Sequence, residues 1–155
     1  YGKNWLAHDG CWFLAAEERV GWARAQELNV AAWERFTRAE ARRILRFLGR
    51  PRGGGTAALA EALGFRLYAR INEQEVVFCD DQRLVFRMKT CRVHAARKRK
   101  GLPLHACKAA GIAEYGGFAA EIDPRFETRC IVCPPDKLPE GVYCEWEFTL
   151  RETPR

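Results

Sequence analysis

Val142-Tyr-Cys-Glu-Trp-Glu-Phe-Thr-Leu150 alternates throughout: Cys144, Trp146 and Phe148 fall on one side of an extended chain, and Tyr143, Glu145, Glu147 and Thr149 on the other. A period of two with one apolar and one polar side is the pattern of a strand whose sheet has a buried and a wet face. Working back, Phe126 to Val132 reads as its antiparallel partner across the loop from Pro134 to Gly141. Further upstream, Leu84, Phe86 and Met88 alternate with Val85 and Arg87, Val76 to Phe78 is extended, and Asp80-Asp81-Gln82 supplies a hairpin turn. The alternation of Leu67, Ala69 and Ile71 with Arg66, Tyr68 and Arg70 carries the extended reading back to Gly64. Between the two hairpins lie a helix from about Cys91 to Lys100, kept short by Pro103, and a second bearing Ile112, Tyr115, Phe118, Ala119 and Ile122, ended by Asp123-Pro124.

The front of the chain is helical. Asp9 is expected to cap a helix through Arg19 that buries Trp12, Phe13 and Ala16, and Gly21 interrupts it. From Trp22 to Leu48, the residues Trp22, Ala25, Leu28, Ala32, Phe36, Ala39 and Leu45 or Leu48 recur at helical spacing, opposite Arg24, Glu27, Glu34, Arg38 and Arg42. By size and spacing, Trp5, Trp12, Trp22 and Trp33 read as core or pocket wall. Gly49 stops the helix, and Arg50 to Gly55 is a linker. Its glycines are followed by no Lys-Ser/Thr and preceded by no strand, so they do not form a phosphate loop. Thr56 is expected to cap a short helix ending at Gly64. The expectation is one α+β domain over residues 1–155, with a helical front at 8–48 and a mixed part at 56–150. The mixed part carries an antiparallel four-stranded sheet in ββααββ order, with helices on one face. A chain of this length buries roughly 70% of its extended surface, so its core needs no metal or disulfide to fold.

The net charge is +6, but it is local: Gln82 to Ala113 holds nine Lys or Arg and no Asp or Glu. Its densest part, Arg97-Lys98-Arg99-Lys100, suits the negative end of a helix dipole and could also meet an anionic partner. Nucleic acid is the third-ranked partner, because the chain lacks an aromatic-and-basic ribonucleoprotein motif, a two-Cys two-His finger or a second Cys-x2-Cys pair. No secretory leader or membrane-crossing stretch is read, so a cytoplasmic compartment and reduced thiols are expected. The odd count of seven cysteines agrees with that. A homodimer stays open.

Five of those cysteines fall late, at Cys91, Cys107, Cys130, Cys133 and Cys144, while Cys11 and Cys79 read as small buried hydrophobes. Cys130-x2-Cys133 has the spacing of a metal-gripping knuckle, and the final hairpin brings Cys144 towards it. Cys107, from an irregular connection, can approach. These four are the expected metal ligands, for zinc or alternatively an iron-sulfur cluster, with Cys91 as substitute and His94 or His105 as nitrogen donors. Cys91 is also a candidate nucleophile: the positive end of a helix, Arg92 and Lys89 would lower its pKa, and His94 one turn on could act as base. His8 beside Asp9 could supply a polar group to a pocket, and Arg92 or Arg97 could hold a carboxylate.

The stretches Tyr68 to Glu75, Arg87 to Pro103, Thr128-Arg-Cys-Ile-Val-Cys-Pro-Pro-Asp136 and Cys144-Glu-Trp-Glu-Phe148 are similar to an uncharacterised cytosolic protein family close to the aminothiazoline-carboxylate hydrolase group. The resemblance runs from His8 to Leu150. It implies hydrolysis of a small sulfur-containing cyclic amino acid but transfers no catalytic residue; where that family carries glutamine this chain has His94. More remotely, the order of elements and late cysteines resembles vinyl-reductase-type small-molecule-binding domains, whose pocket lies between helices and sheet. Together these readings predict a metal-bearing, hydrolase-like protein acting on a small anionic sulfur- or nitrogen-containing molecule. The alternative is a non-catalytic binding or sensing module with a structural metal centre, and the third a nucleic-acid binder using residues 92–100.

Overall fold

A computed structural model describes residues 1–151. Helix α1 spans Gly2–Leu48, but Gly21 inside it has φ 78° and ψ 164°, which no helix tolerates. The Trp5 ring stacks on Phe36 at 5.3 Å and meets Trp33 edge-on at 6.4 Å. In a straight helix residues that far apart would be separated by roughly 40 Å. Gly21 therefore reverses the chain, and residues 2–20 fold back as a first arm along a second arm, 22–48. The expected interruption is there, but the first arm starts earlier: Tyr1 C=O accepts the Asn4 and Trp5 amides, and Asp9 lies within the helix rather than capping it.

The second arm buries Ala25, Trp33, Thr37, Glu40, Ala41, Ile44 and Leu45, a face rotated from the expected one; Leu28 and Ala32 are exposed. The rotation comes from polar residues that an apolar pattern passes over. Thr37 donates its hydroxyl to the Glu114 carbonyl at 2.6 Å, and Glu40 accepts from a buried arginine, so both sit inside with their hydrogen bonds made. Trp12, expected inside, is exposed.

The glycine loop is docked rather than free. Gly53 N–H donates to Ile122 C=O and Gly55 N–H to the Asp123 carboxylate, both with positive φ. Helix α2 (Gly55–Leu63) follows; Thr56 spends its hydroxyl on Asp80 C=O instead of capping. Leu67–Arg70 is a 3-10 turn and not a strand, because Arg66 turns into the core and Glu40 accepts the Leu67 amide.

Strands β1 (Gln74–Cys79), β2 (Arg83–Met88), β3 (Phe126–Val132) and β4 (Cys144–Leu150) form one antiparallel sheet in the order β1-β2-β4-β3. Asp80 closes the first hairpin by accepting the Gln82 and Arg83 amides. Helices α3 (Arg92–Arg99) and α4 (Lys108–Ile122) come between the hairpins, so the ββααββ order and the α+β class hold. The inner face of the sheet, Leu84, Phe86, Met88, Trp146 and Phe148, packs on Tyr115, Phe118 and Ile122 of α4. Its outer face carries ion pairs such as Arg83–Glu147–Arg129 and Arg87–Glu145. Among the described residues no helix is long and apolar enough to cross a membrane.

Helix α4 is wedged between α1 and the sheet through two glycines. A Cβ on Gly111 would stand 2.6 Å from Trp146 Cζ2, and one on Gly117 2.7 Å from Thr37 Cγ2. Gly111→Ala is therefore expected to cost about 1–3 kcal/mol by overpacking a rigid indole. At Gly116 the nearest atom to an added Cβ is 4.0 Å away. There the helix preference for alanine, about 0.5–1 kcal/mol, should win. Thermal unfolding of the two variants should shift in opposite directions; equal shifts would contradict this packing.

Candidate functional site

The first arm of α1, the start of α4, α3, and the adjoining ends of β2 and β4 enclose a cavity of about 380 Å³. Cys91, Cys107, Cys133 and Cys144 line it, together with His94 and Glu114. All seven cysteines are free thiols. Cys107 precedes the first residue of α4, and its carbonyl accepts the Gly111 amide. Cys133 is brought to it by a turn: Asp136 accepts the Cys133 amide, Lys108 Nζ grips both oxygens of Asp136 at 2.8 and 3.0 Å, and the Lys108 amide donates to Pro134 C=O. The result places Cys107 Sγ 3.7 Å from Cys133 Sγ and 3.6 Å from His94 Nε2.

The expected four-sulfur set is thus gathered in part. Cys107, Cys133 and Cys144 meet on the cavity, but Cys130 is not on its wall, and Cys91 takes the fourth place. Cys130 lies within β3, paired with Trp146, and Cys133 just beyond the strand end. Three residues of extended chain span about 10 Å, too far for both to grip one ion; the Cys-x2-Cys pair needed a tight turn and got a strand. Among the described residues no group of three or more His, Cys, Asp or Glu is arranged to hold a metal ion as it stands.

The thiols are electrostatically unequal. The hydrogen bond from Cys133 and then His94 hold Cys107 down at about 5, against the opposing effect of burial. The N-terminal end of α4 acts in the same sense. Cys133 is pushed far up by its bond to Cys107 and by Cys144 beside it, so Cys133 is the S–H donor and Cys107 the thiolate acceptor. Against expectation, burial pushes Cys91 up to about 12, with the neighbouring Cys107 and Cys144 adding to it. The helix end and Arg92 do not compensate, because Arg92 points away to donate to Ile71 C=O. The low-pKa thiol is Cys107.

Other expected site residues are placed differently. Arg97 is buried and fully engaged, donating to Pro103 C=O at 2.8 Å and to Glu17 at 3.1 and 3.5 Å, and lying over the Trp22 ring. It ties α3 to α1 and is not a free clamp. His8 is exposed and off the cavity wall, whereas its neighbour Asp9 is on the wall, its carboxyl raised by burial. His105 packs against Phe13 and Trp22 and is lowered to about 4, chiefly by burial and then by Arg97, so it is neutral wall. Cys11 and Cys79, expected inside, are exposed.

The sequence reading missed a buried charge cluster. Arg66, 2% exposed, bonds Glu40 Oε2 at 2.9 Å and ion-pairs Glu114 Oε1 at 2.7 Å. Its guanidinium lies over the rings of Phe118, Tyr115 and Tyr68 at 4.8, 5.3 and 5.6 Å. One cation serves two carboxylates, and burial outweighs Arg66 at Glu114, whose carboxyl is raised to about 7. The available signal was a glutamate inside the apolar face of α4, at Ala113-Glu-Tyr115. Trp146 Nε1 and His94 Nδ1, both on residues of the cavity wall, lack partners among the described residues.

Residues 1–150 match the model of a family described as "Family of unknown function (DUF6125)". The chain belongs to that family. No curated protein and no solved structure matches it.

The arrangement in this DUF6125 chain offers two chemistries from the same atoms. A thiolate facing an imidazole across 3.6 Å is a nucleophile with a proton carrier. The same thiolate, imidazole and neighbouring thiols are also soft donors for a metal ion.

Proposed function

We propose that the cavity takes up a small molecule and that Cys107 is the group that reacts with it. What supports this is the position of Cys107: on the cavity wall, at a helix N-terminus, and in contact with both a thiol donor and an imidazole. In a hydrolase-like reaction the thiolate adds to a carbonyl carbon. The bond to the departing nitrogen or sulfur breaks as His94 or Cys133 supplies its proton, and water then cleaves the thioester to release acid and thiol. Cys107, rather than Cys91, carries this role, since a thiol with a pKa near 12 is protonated at neutral pH.

A specific spacing favours a second reading, in which Cys107, Cys133 and Cys144 with His94 close on a zinc ion. Tetrahedral bonds of about 2.3 Å to sulfur and 2.0–2.1 Å to nitrogen put neighbouring sulfurs about 3.8 Å apart and sulfur and nitrogen about 3.6 Å apart. The contacts at Cys107 are 3.7 and 3.6 Å. Contact-distance donors suit a single tetrahedral ion better than a four-iron cluster, whose thiolates sit on separate irons.

One experiment separates the two. Protein purified without chelator is analysed for zinc, treated with N-phenylmaleimide at pH 6 and mapped by peptide mass. Zinc-free protein with a single adduct at Cys107, lost in Cys107→Ser, is the expected result. Stoichiometric zinc, with labelling only after chelation, would replace it by the metal reading. First labelling at Cys91 would contradict both.

A further inference from the structure

We infer that the ligand of this cavity is an amphiphilic anion, with an apolar or aromatic body in the lumen and one carboxylate or similar group at the mouth. This rests on the reading that the cavity holds a small molecule. The lumen is lined by buried Leu6, Phe13, Trp33, Met88 and Trp146, which reward an apolar body by removing its surface from water. The charge is distributed differently. Lys3 of the first arm and Arg92, Arg99 and Lys100 around α3 belong to the wall yet are exposed, so they stand where the cavity opens. Arg97 is the one cation of the wall held in an ion pair among the described residues.

Two carboxyl groups on the wall argue the other way, and their balance decides the sign. Glu114 shares the buried Arg66 guanidinium, which leaves Asp9 and the Cys107 thiolate against four cations that no carboxylate pairs among the described residues, Arg92 giving one of its donors to Ile71 C=O. A mouth of that sign draws anions in and holds their head group, while a cationic head group would have to pass it. Of the two arginines expected to hold a carboxylate, Arg97 is engaged by Glu17, and Arg92 stands with the rim cations.

The probes are decanoate, decanol and decylamine, which share one chain and differ in charge, titrated calorimetrically into the full chain at low salt. Decanoate is expected to bind about tenfold more tightly than decanol, as several exposed ion pairs of modest individual strength allow. The triple variant Arg92→Gln, Arg99→Gln, Lys100→Gln should lose that advantage while binding decanol as before, and added salt should act in the same way. Equal binding of decanoate and decanol in both proteins, or tighter binding of decylamine, would overturn the inference while leaving a pocket for a ligand of other charge. If none of the three binds, or if bound decanoate leaves maleimide labelling of Cys107 unchanged, the pocket reading itself fails.

Discussion

Arg66→Met lowers the unfolding free energy by about 3–5 kcal/mol, the largest effect expected of any single substitution in the chain. Methionine fills much of the same space among Tyr68, Tyr115 and Phe118, so the loss does not come from a cavity. It comes from Glu40 and Glu114, left buried without a cation. For a domain of this size the loss corresponds to a fall in Tm of roughly 10–15 °C. Removing the acceptor instead should be mild: Glu114→Gln leaves Arg66 paired with Glu40 and relieves the carboxyl that burial disfavours.

The same variant has a pH signature. Glu114 has a folded pKa of about 7, above its ordinary 4.5. The stability it contributes is therefore complete below pH 4.5 and is lost as pH rises to 7. His105 runs oppositely: lowered to about 4 from 6.5, it contributes above pH 6.5 and loses that contribution as pH falls to 4. The Glu114 and His105 slopes oppose between pH 4.5 and 6.5, and Cys107, held at about 5 instead of 9, also opposes Glu114 by adding stability as pH rises from 5 to 9. Glu114→Gln should therefore make stability rise more steeply between pH 5 and 7 than in the unaltered chain, as read by urea unfolding. An unchanged slope would contradict the raised carboxyl.

The second large effect is kinetic. At pH 6 an ordinary thiol near pKa 8.5 is about 0.3% thiolate. Cys107, held at about 5, is almost fully ionised there. Its population advantage of roughly 300-fold is cut by the lower intrinsic nucleophilicity of a low-pKa thiolate, leaving roughly tenfold at pH 6 and none by pH 8. The shape of the pH profile is thus more telling than any one rate. Because the Cys133 hydrogen bond is the largest cause, Cys133→Ala should move the profile upward in pH more than His94→Gln does. Cys107 stands between Cys133 and His94, so the two substitutions also report which contact the fold holds more firmly.

Most of the sheet was legible because its signals are local. Strict alternation marked β4, the hairpin turn at Asp80 announced itself by residue type, and Gly21 and Pro103 punctuated the helices where the chain in fact breaks. What stayed hidden depends on partners distant in sequence. Thr37, Glu40 and Arg66 look like surface residues until Glu114 is folded against them. Arg66 also converts a strand-like alternation into a 3-10 turn. The thiols taught the same lesson: Cys130 and Cys133 read as a knuckle until the strand separated them. Cys91 read as activated until burial reversed its pKa. Cys107, set down as a ligand from a loop, acquires its character from a helix start, a thiol 26 residues away and an imidazole 13 residues away.

The measurement that bears most directly on Cys107 is its rate of alkylation by iodoacetamide from pH 5.5 to 9, resolved by peptide mapping. The rate at Cys107 should be nearly flat above pH 6 and at pH 6 should lead all other cysteines, including the exposed Cys11 and Cys79. A rate at Cys107 that climbs about tenfold per pH unit up to pH 8, with Cys11 and Cys79 reacting first at pH 6, would contradict a thiolate poised on the cavity wall.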